Sequence, residues 1–473
     1  MKYVIWGCGK QGKRLFDAFG KNCICAFIDS SEKLQGSYYE GIPIISYETY
    51  LREFRKAVII ISPARNTETI VERLTRDGID FLGNASIPKE IITGYHDGSF
   101  ADLERLAEGR EGLYLYCFTA YNALLYEYFT MRGKKVSIVL DGAHDEKVPK
   151  AFESVTVPYE AGKYDALCVT DFELCDSLNG ENILPFYLLE NYPFISRPSE
   201  ALEVPKGFLN TQSREKKIIV SLTTYDKRLD AVPYAIGTIM RQTMKPDRII
   251  VYMAESNRDK LPQELKIQIS QGVEVRYVED LKPHTKYYYA MREYPEDIVV
   301  TVDDDIFYRL DLIERLYKSY LKFPGCVSAV LAEKITFDGA GRLRPYNEWG
   351  RYGAENYGEA GQPSMALSAM GAGGVLYPPH CMTGEVFNKE NFMKLCPGAD
   401  DLWLKVMQTL NGTAVVLAAD ERHPPIEVGA VQKYGLRNAN IENNGNDAQM
   451  KAILEVYNEC AEGVTVLEKI MRG

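Results

Sequence analysis

Long apolar runs are what this sequence most plainly lacks. No stretch approaches the roughly 20 residues that a membrane-spanning helix needs, so an integral membrane protein is not expected. Basic clusters are missing as well. Lys and Arg number 55 against 66 Asp and Glu, a formal charge of −11. No Lys/Arg run carries interleaved aromatics, which argues against a surface built to coat nucleic acid. The ten cysteines have no metal-ligand spacing, and Cys23 and Cys25 point the same way from one expected strand. Reduced thiols in a cytoplasmic protein are the simplest account. The opening Met1-Lys2-Tyr3-Val4-Ile5-Trp6-Gly7 has no signal-peptide layout and runs straight into a strand. Peripheral attachment at the inner face of a membrane stays compatible with this composition.

What is present belongs to a globular protein, with 46% hydrophobic and 26% charged residues. At 473 residues, two to four domains are expected. The stretch that organises the rest is Asp303-Asp304-Asp305, closing the apolar run Ile298-Val299-Val300-Thr301-Val302. A short β-branched run reads as a strand buried on both faces, as in a parallel sheet. Three carboxylates at its end repel one another unless a cation or hydrogen-bond donors balance them. Carboxyl ends of strands in open α/β sheets are also where ligands bind. The run therefore reads as a divalent-metal and diphosphate site, the plainer alternative being an acidic turn.

Residues 1–205 read as one fold written twice. Tyr3 to Trp6 is a strand, Gly7-Cys8-Gly9-Lys10-Gln11-Gly12 follows as G-x-G-x-x-G, and a second strand ends in Asp29. Gly7, Gly9, Gly12 and Asp29 thus form a candidate nucleotide site, whose glycines equally suit tight strand-to-helix packing. The unit continues to about residue 95. A degenerate second copy, 96–205, has Leu113 to Tyr116, Tyr121 to Met131 and Val136 to Asp141 in the same order. It carries Cys117-Phe118-Thr119 in place of the glycines, so any phosphate cradle there is lost. Pro185, Pro193, Pro198, Pro205 and Gly207 mark a linker.

From 211 to 473 the order of elements is again β-α-β-α-β, a doubly wound sheet with the acidic triplet at its carboxyl edge. The run Ser221-Leu222-Thr223-Thr224-Tyr225 comes first, followed by Gln242-Thr243 with Pro246-Asp247 and then Asp303 to Ile306 with Tyr308. Gly373 to Pro379 and Ala399 to Leu404 follow. Together, over about 217–460, they resemble bacterial glycosyltransferases of the GT-A fold, family 2 enzymes of capsule and lipopolysaccharide synthesis above all. The N-terminal unit resembles the small Rossmann-like domain of several polysaccharide and sugar-modifying enzymes.

The resemblance implies transfer of a sugar from a nucleotide-diphosphate donor to a glycan or lipid-linked glycan. It makes Asp303 and Asp305 ligands of Mn²⁺ or Mg²⁺, with His423 as a third. Asp304 would meet the ribose or sugar. Thr223, Thr224, Tyr225 and Arg228 would hold the nucleoside, and Lys286 the phosphates. Gly373 and Gly374 would line the donor sugar. Asp400 and Asp401 open a helix, one as N-cap and the other as catalytic base of an inverting transfer, with Asp401 favoured. Tyr346, Trp349, Tyr352 and Trp403 would stack on a sugar or fill the core. Two other enzyme classes compete: a nucleotidyltransferase, and an oxidoreductase using the N-terminal glycines. A glycine-rich, Lys/Arg-bearing loop after Val220 is missing, which counts against the first, and no acid–base set accompanies the glycines. A docking role for the N-terminal units within a biosynthetic complex is the non-catalytic alternative.

Overall fold

The computed structural model describes residues 2–62, 67–82, 108–110, 112–164, 167–170, 172–178, 183–185, 194–195, 197–350, 360–419, 425–429, 431, 444–459 and 463–473. The chain divides into two compact units, Met1–Tyr192 and Pro193–Gly473. Both are α/β, with large sheets that are mainly parallel.

In the first unit, β1 (Tyr3–Trp6), β2 (Ile24–Ile28), β3 (Tyr38–Tyr39), β4 (Ile42–Ile45), β5 (Val58–Ile61) and β6 (Phe81–Leu82) form one sheet. Their order is β3-β4-β2-β1-β5-β6, parallel except for the β3–β4 hairpin. Alternation decides which face each side chain joins. Tyr3, Ile5, Val58 and Ile60 pack with Leu15, Phe16 and Phe19 of the helix Lys10–Cys23. Val4, Trp6, Ile59 and Ile61 pack with Leu74 of the helix Thr67–Arg76. With a helix on each face, β1 and β5 are buried throughout.

A second sheet follows, made of β7 (Gly112–Tyr116), β8 (Lys135–Leu140), β9 (Thr156–Pro158), β10 (Leu167–Val169) and β11 (Ile183–Pro185). Its order, β11-β10-β7-β8-β9, repeats β6-β5-β1-β2-β4 strand for strand. The turns repeat too. Gly7 N–H donates to Ile28 O at 2.7 Å and Cys117 N–H to Val139 O at 2.8 Å. Both residues have positive φ, 105° and 57°, a conformation easy for Gly7 and costly for a β-carbon at Cys117. The two copies share one core, in which Tyr3 donates to the buried Glu127 at 2.7 Å.

The second unit begins at Pro193, so much of the expected linker belongs to it. The turn Pro198–Leu202 packs on the helix Val232–Met240 because Gly237 has no side chain. A β-carbon there would lie 1.7 Å from the Ala201 carbonyl oxygen. Gly237→Ala is expected to lower stability by about 1–3 kcal/mol, read as a lower urea midpoint; an unchanged midpoint would show the turn free to move.

The main sheet of this unit contains β12 (Ile218–Thr223), β13 (Arg248–Ala254), β14 (Glu274–Val278) and β15 (Ile298–Thr301). After the short β16 (Ile306–Phe307) come β17 (Val327–Ala329), β18 (Ala332–Lys334), β19 (Leu367–Ala369), β20 (Val375–Tyr377), β21 (Val415–Leu417) and β22 (Ile426–Glu427). The seven-stranded order is β14-β13-β12-β15-β20-β17-β21, with β20 antiparallel to both neighbours. β15 is buried along its length, as its apolar run requires.

From β12 the chain steps outward to β13 and β14, then crosses back to lay β15 on the other side of β12. The carboxyl ends of β12 and β15 therefore border a topological switch point, the crevice where ligands bind in open α/β sheets. The turn Asp226–Arg228 leads from β12 into the helix Val232–Met240. The tail is two helices, Gly445–Tyr457 and Val466–Met471, which bury Met450, Ile453, Val466 and Ile470. Among the described residues no helix is long and apolar enough to cross a membrane.

Candidate functional site

The two strands at the switch point each deliver polar residues where their apolar runs stop. At the end of β12, Thr223 donates its hydroxyl to Tyr252 O at 3.0 Å; beyond it Thr224 is buried and Tyr225 is 38% exposed. Arg228 reaches across to the triplet after β15. Its Nη1 lies 2.7 Å from Asp304 Oδ1 and its Nη2 3.0 Å from Asp305 Oδ2. One guanidinium thus clasps two adjacent carboxylates.

Asp303, the most open of the three, pairs instead with Lys286 at 2.6 Å. Lys286 comes from the first turn of the helix Thr285–Glu293 and is 5% exposed. Ser221, on β12, anchors that turn by donating to Lys286 O at 2.5 Å. The Asp303 amide is held in turn by Tyr308, whose hydroxyl accepts its N–H at 2.7 Å.

On its other side the same ammonium meets Asp400 Oδ2 at 3.2 Å. Asp400 and Asp401 lie in the first turn of the helix Asp400–Leu410, where negative charge is favoured. Neither is the N-cap, which is Ala399; the assignment of one aspartate to capping is corrected. Asp401 Oδ2 accepts the Gly371 N–H at 3.0 Å. A β-carbon on Gly371 would come within 3.1 Å of Asp401 and 3.2 Å of the Lys286 ammonium, so this glycine admits both groups.

Five carboxylates share two cations at this edge, and three of them, Asp304, Asp400 and Asp401, are raised. Burial pushes Asp304 up to about 6, with Asp305 adding to it and Arg228 opposing. Burial and Asp400 push Asp401 up to about 8, against the pull of Lys286 and the Gly371 amide. Asp400 is raised as well, by burial first. Burial disfavours the Lys286 ammonium, but Asp303, Asp400 and Asp401 outweigh it and hold it charged.

Arg228, Lys286, Asp303, Asp304, Asp305, Asp400 and Asp401 are therefore brought together, with Thr224 and Gly371 beside them. Gly373 and Gly374 are accounted for by packing. A β-carbon on Gly373 would strike Leu331 at 2.6 Å, and Gly374, at φ +83°, abuts Leu312. Trp349 and Trp403 are core residues, 3% and 0% exposed, and offer no ring to a sugar. Tyr346 packs against Trp349, with ring centroids 4.9 Å apart. His423 and Tyr352 lie outside the described residues. The β22 segment that follows 423 pairs with β16, and Val428 N–H donates to Asp305 O at 2.8 Å. Among the described residues no three His, Cys, Asp or Glu side chains converge as a metal cage.

Among the N-terminal glycines, Gly12 is required by packing. A β-carbon on Gly12 would sit 1.9 Å from Gly7 O, so helix and strand could not approach. Gly9, at the helix N-terminus, has nothing within 4 Å of such an atom. Both oxygens of Asp29 are engaged, Oδ2 by the Cys8 N–H and Oδ1 by the Ser31 N–H, each at 2.9 Å. In the second copy, Asp145 takes the Phe118 N–H at 2.6 Å and Glu146 the Ala120 N–H at 3.2 Å. Its helix N-terminus is thus filled by the chain's own carboxylates.

Residues 1–81 match a family model described as C2185-like, N-terminal. The match ends within β6 and includes no residue of the acidic cluster. No curated protein matches the chain.

Proposed function

We propose that the chain is a metal-dependent glycosyltransferase of the GT-A kind. It moves a sugar from a nucleotide-diphosphate donor to a glycan or lipid-linked glycan in surface polysaccharide synthesis, with inversion, in the cytoplasm or at the inner face of the membrane. The observation that carries the reading is the meeting of Arg228, Lys286, the acidic triplet and Asp400–Asp401 at a sheet switch point. Carboxylates and two cations stand there together, which supports a base and leaving-group stabilisation in one site.

In this reading Asp401 removes the acceptor hydroxyl proton as that oxygen bonds to the anomeric carbon. The bond from that carbon to the diphosphate oxygen breaks, and Lys286 and Arg228 are the cations this cluster offers to the charge that develops. Thr224 and Tyr225 border the nucleoside. The donor set suits a hard divalent cation, because Asp303 and Asp305 offer oxygen and carboxylates exceed cations. When bound, Mn²⁺ or Mg²⁺ would neutralise the departing diphosphate. Against a dinucleotide oxidoreductase stand the occupied Asp29 and the packing role of Gly12.

The test is a panel of nucleotide-diphosphate sugars with and without Mn²⁺, read by thermal shift and by nucleoside diphosphate release. Asp305→Ala is expected to abolish the metal-dependent release while the protein melts cooperatively. Full activity in that variant, or in excess chelator, overturns the metal assignment.

A further inference from the structure

A buried histidine two residues before Lys286 was not among the sequence candidates. His284 is fully buried just ahead of the helix that carries Lys286. Its Nε2 lies 2.6 Å from the carbonyl oxygen of Cys396, and its Nδ1 3.1 Å from the Tyr287 hydroxyl. A carbonyl only accepts, so Nε2 carries a proton; burial, which drives the ring's pKa down to about 3, keeps it neutral and leaves Nδ1 as an acceptor for the Tyr287 hydroxyl. The ring also stacks on Phe392 at 4.4 Å between centroids, 19° from parallel.

These contacts link the elements that carry Lys286 and the two aspartates. Cys396 ends the helix Lys389–Leu395 and starts the segment Cys396–Ala399, which leads into Asp400 and Asp401. Cys396 Sγ donates to Ala399 O at 2.9 Å, stiffening that segment. The Tyr287 hydroxyl stands between two acceptors, His284 Nδ1 at 3.1 Å and Val386 O at 3.2 Å, and shares its one proton between them; Val386 O also accepts the Trp403 indole N–H at 3.1 Å. One buried network therefore joins the Lys286 helix to both ends of the turn bearing the acids.

We infer that His284 is a positioning residue, fixing the Asp400–Asp401 turn against the Lys286 helix through the Cys396 carbonyl. The inference rests on the transferase reading for its effect on rate, but not for the contact itself. A buried donor with a single geometry holds the cluster without touching substrate, and displacement of such a group by about 1 Å costs on the order of 10²-fold in rate.

Two variants test it. His284→Phe keeps the ring on Phe392 and removes both hydrogen bonds, whereas His284→Gln restores an N–H donor. Each is measured for nucleoside diphosphate release from the donor panel with Mn²⁺, and for amide hydrogen exchange over 396–401. His284→Phe is expected to lower kcat about 10- to 100-fold with donor KM within about twofold, and to speed exchange in that segment. His284→Gln is expected to recover most of both. A folded His284→Phe with wild-type kcat and exchange, or a His284→Gln no better than His284→Phe, overturns the inference. If the wild type releases no nucleoside diphosphate from any donor, the transferase reading falls. Exchange alone then decides, and unchanged protection of 396–401 in His284→Phe overturns the positioning role.

Discussion

Asp401→Asn is expected to lower transfer about 10²- to 10⁴-fold, the range supplied by a positioned general base, with donor affinity retained. The amide keeps the volume and can still accept the Gly371 N–H, so loss of the proton acceptor is isolated from loss of shape. Two pH effects accompany it. A base held at about 8 is mostly protonated at pH 7, so wild-type kcat is expected to climb as pH rises toward 8. Stability moves the opposite way. An aspartate with an unfolded pKa of about 3.9 and a folded one near 8 stabilises fully below pH 4, and that contribution drains away as pH rises through 8. Asp401→Asn should therefore flatten the stability profile between those limits while abolishing the rise in kcat. Urea melts and initial rates on the same buffers check both. A variant that keeps its rate, or keeps the slope of stability against pH, would remove Asp401 from the base role.

Lys286→Met is expected to be the most damaging single change to folding. The methionine fills the space of the stem, but Asp303 and Asp400 lose an ammonium at 2.6 and 3.2 Å. Breaking a buried pair by removing one partner costs about 3–5 kcal/mol, because the remaining charge has neither water nor counter-ion. Part of that cost should return in the double variant with Asp400→Asn, which removes one stranded carboxylate. A coupling energy near zero in the double-mutant cycle would mean that the ammonium and Asp400 do not interact. Lower pH should also soften the loss, since Asp400, already raised by burial, takes up a proton and needs no cation. Donor binding is expected to weaken in both variants, because Lys286 also faces the phosphates in the transferase reading.

Much of the fold was legible in local pattern. The apolar run before the triplet became a fully buried strand because β-branched residues suit a sheet covered on both faces. The doubled N-terminal arrangement was legible from spacing, since each strand–turn–helix step is set by nearby residues. Boundaries were less so. Prolines at 193, 198 and 205 read as linker, yet the missing side chain of Gly237 lets that segment pack as part of the second unit. Glycines were ambiguous for a related reason. Close approach to backbone and close approach to a ligand select the same residue, and only coordinates assign Gly373 to Leu331 and Gly371 to Asp401.

The sequence by itself determined which residues are charged at the ends of buried strands, and where those strands fall. Alternation, run length and turn chemistry act over a few residues, so they can be read in order. Who neutralises whom was decided only by the tertiary structure. Arg228 and Asp304 are 76 positions apart, and His284 and Cys396 are 112 apart. Their meeting depends on the return of β15 to the side of β12 and on the packing that brings the segment before the helix Asp400–Leu410 against His284. Charge pairing falls off with distance in space, not along the chain, and that distance exists only once the sheet has closed around its switch point.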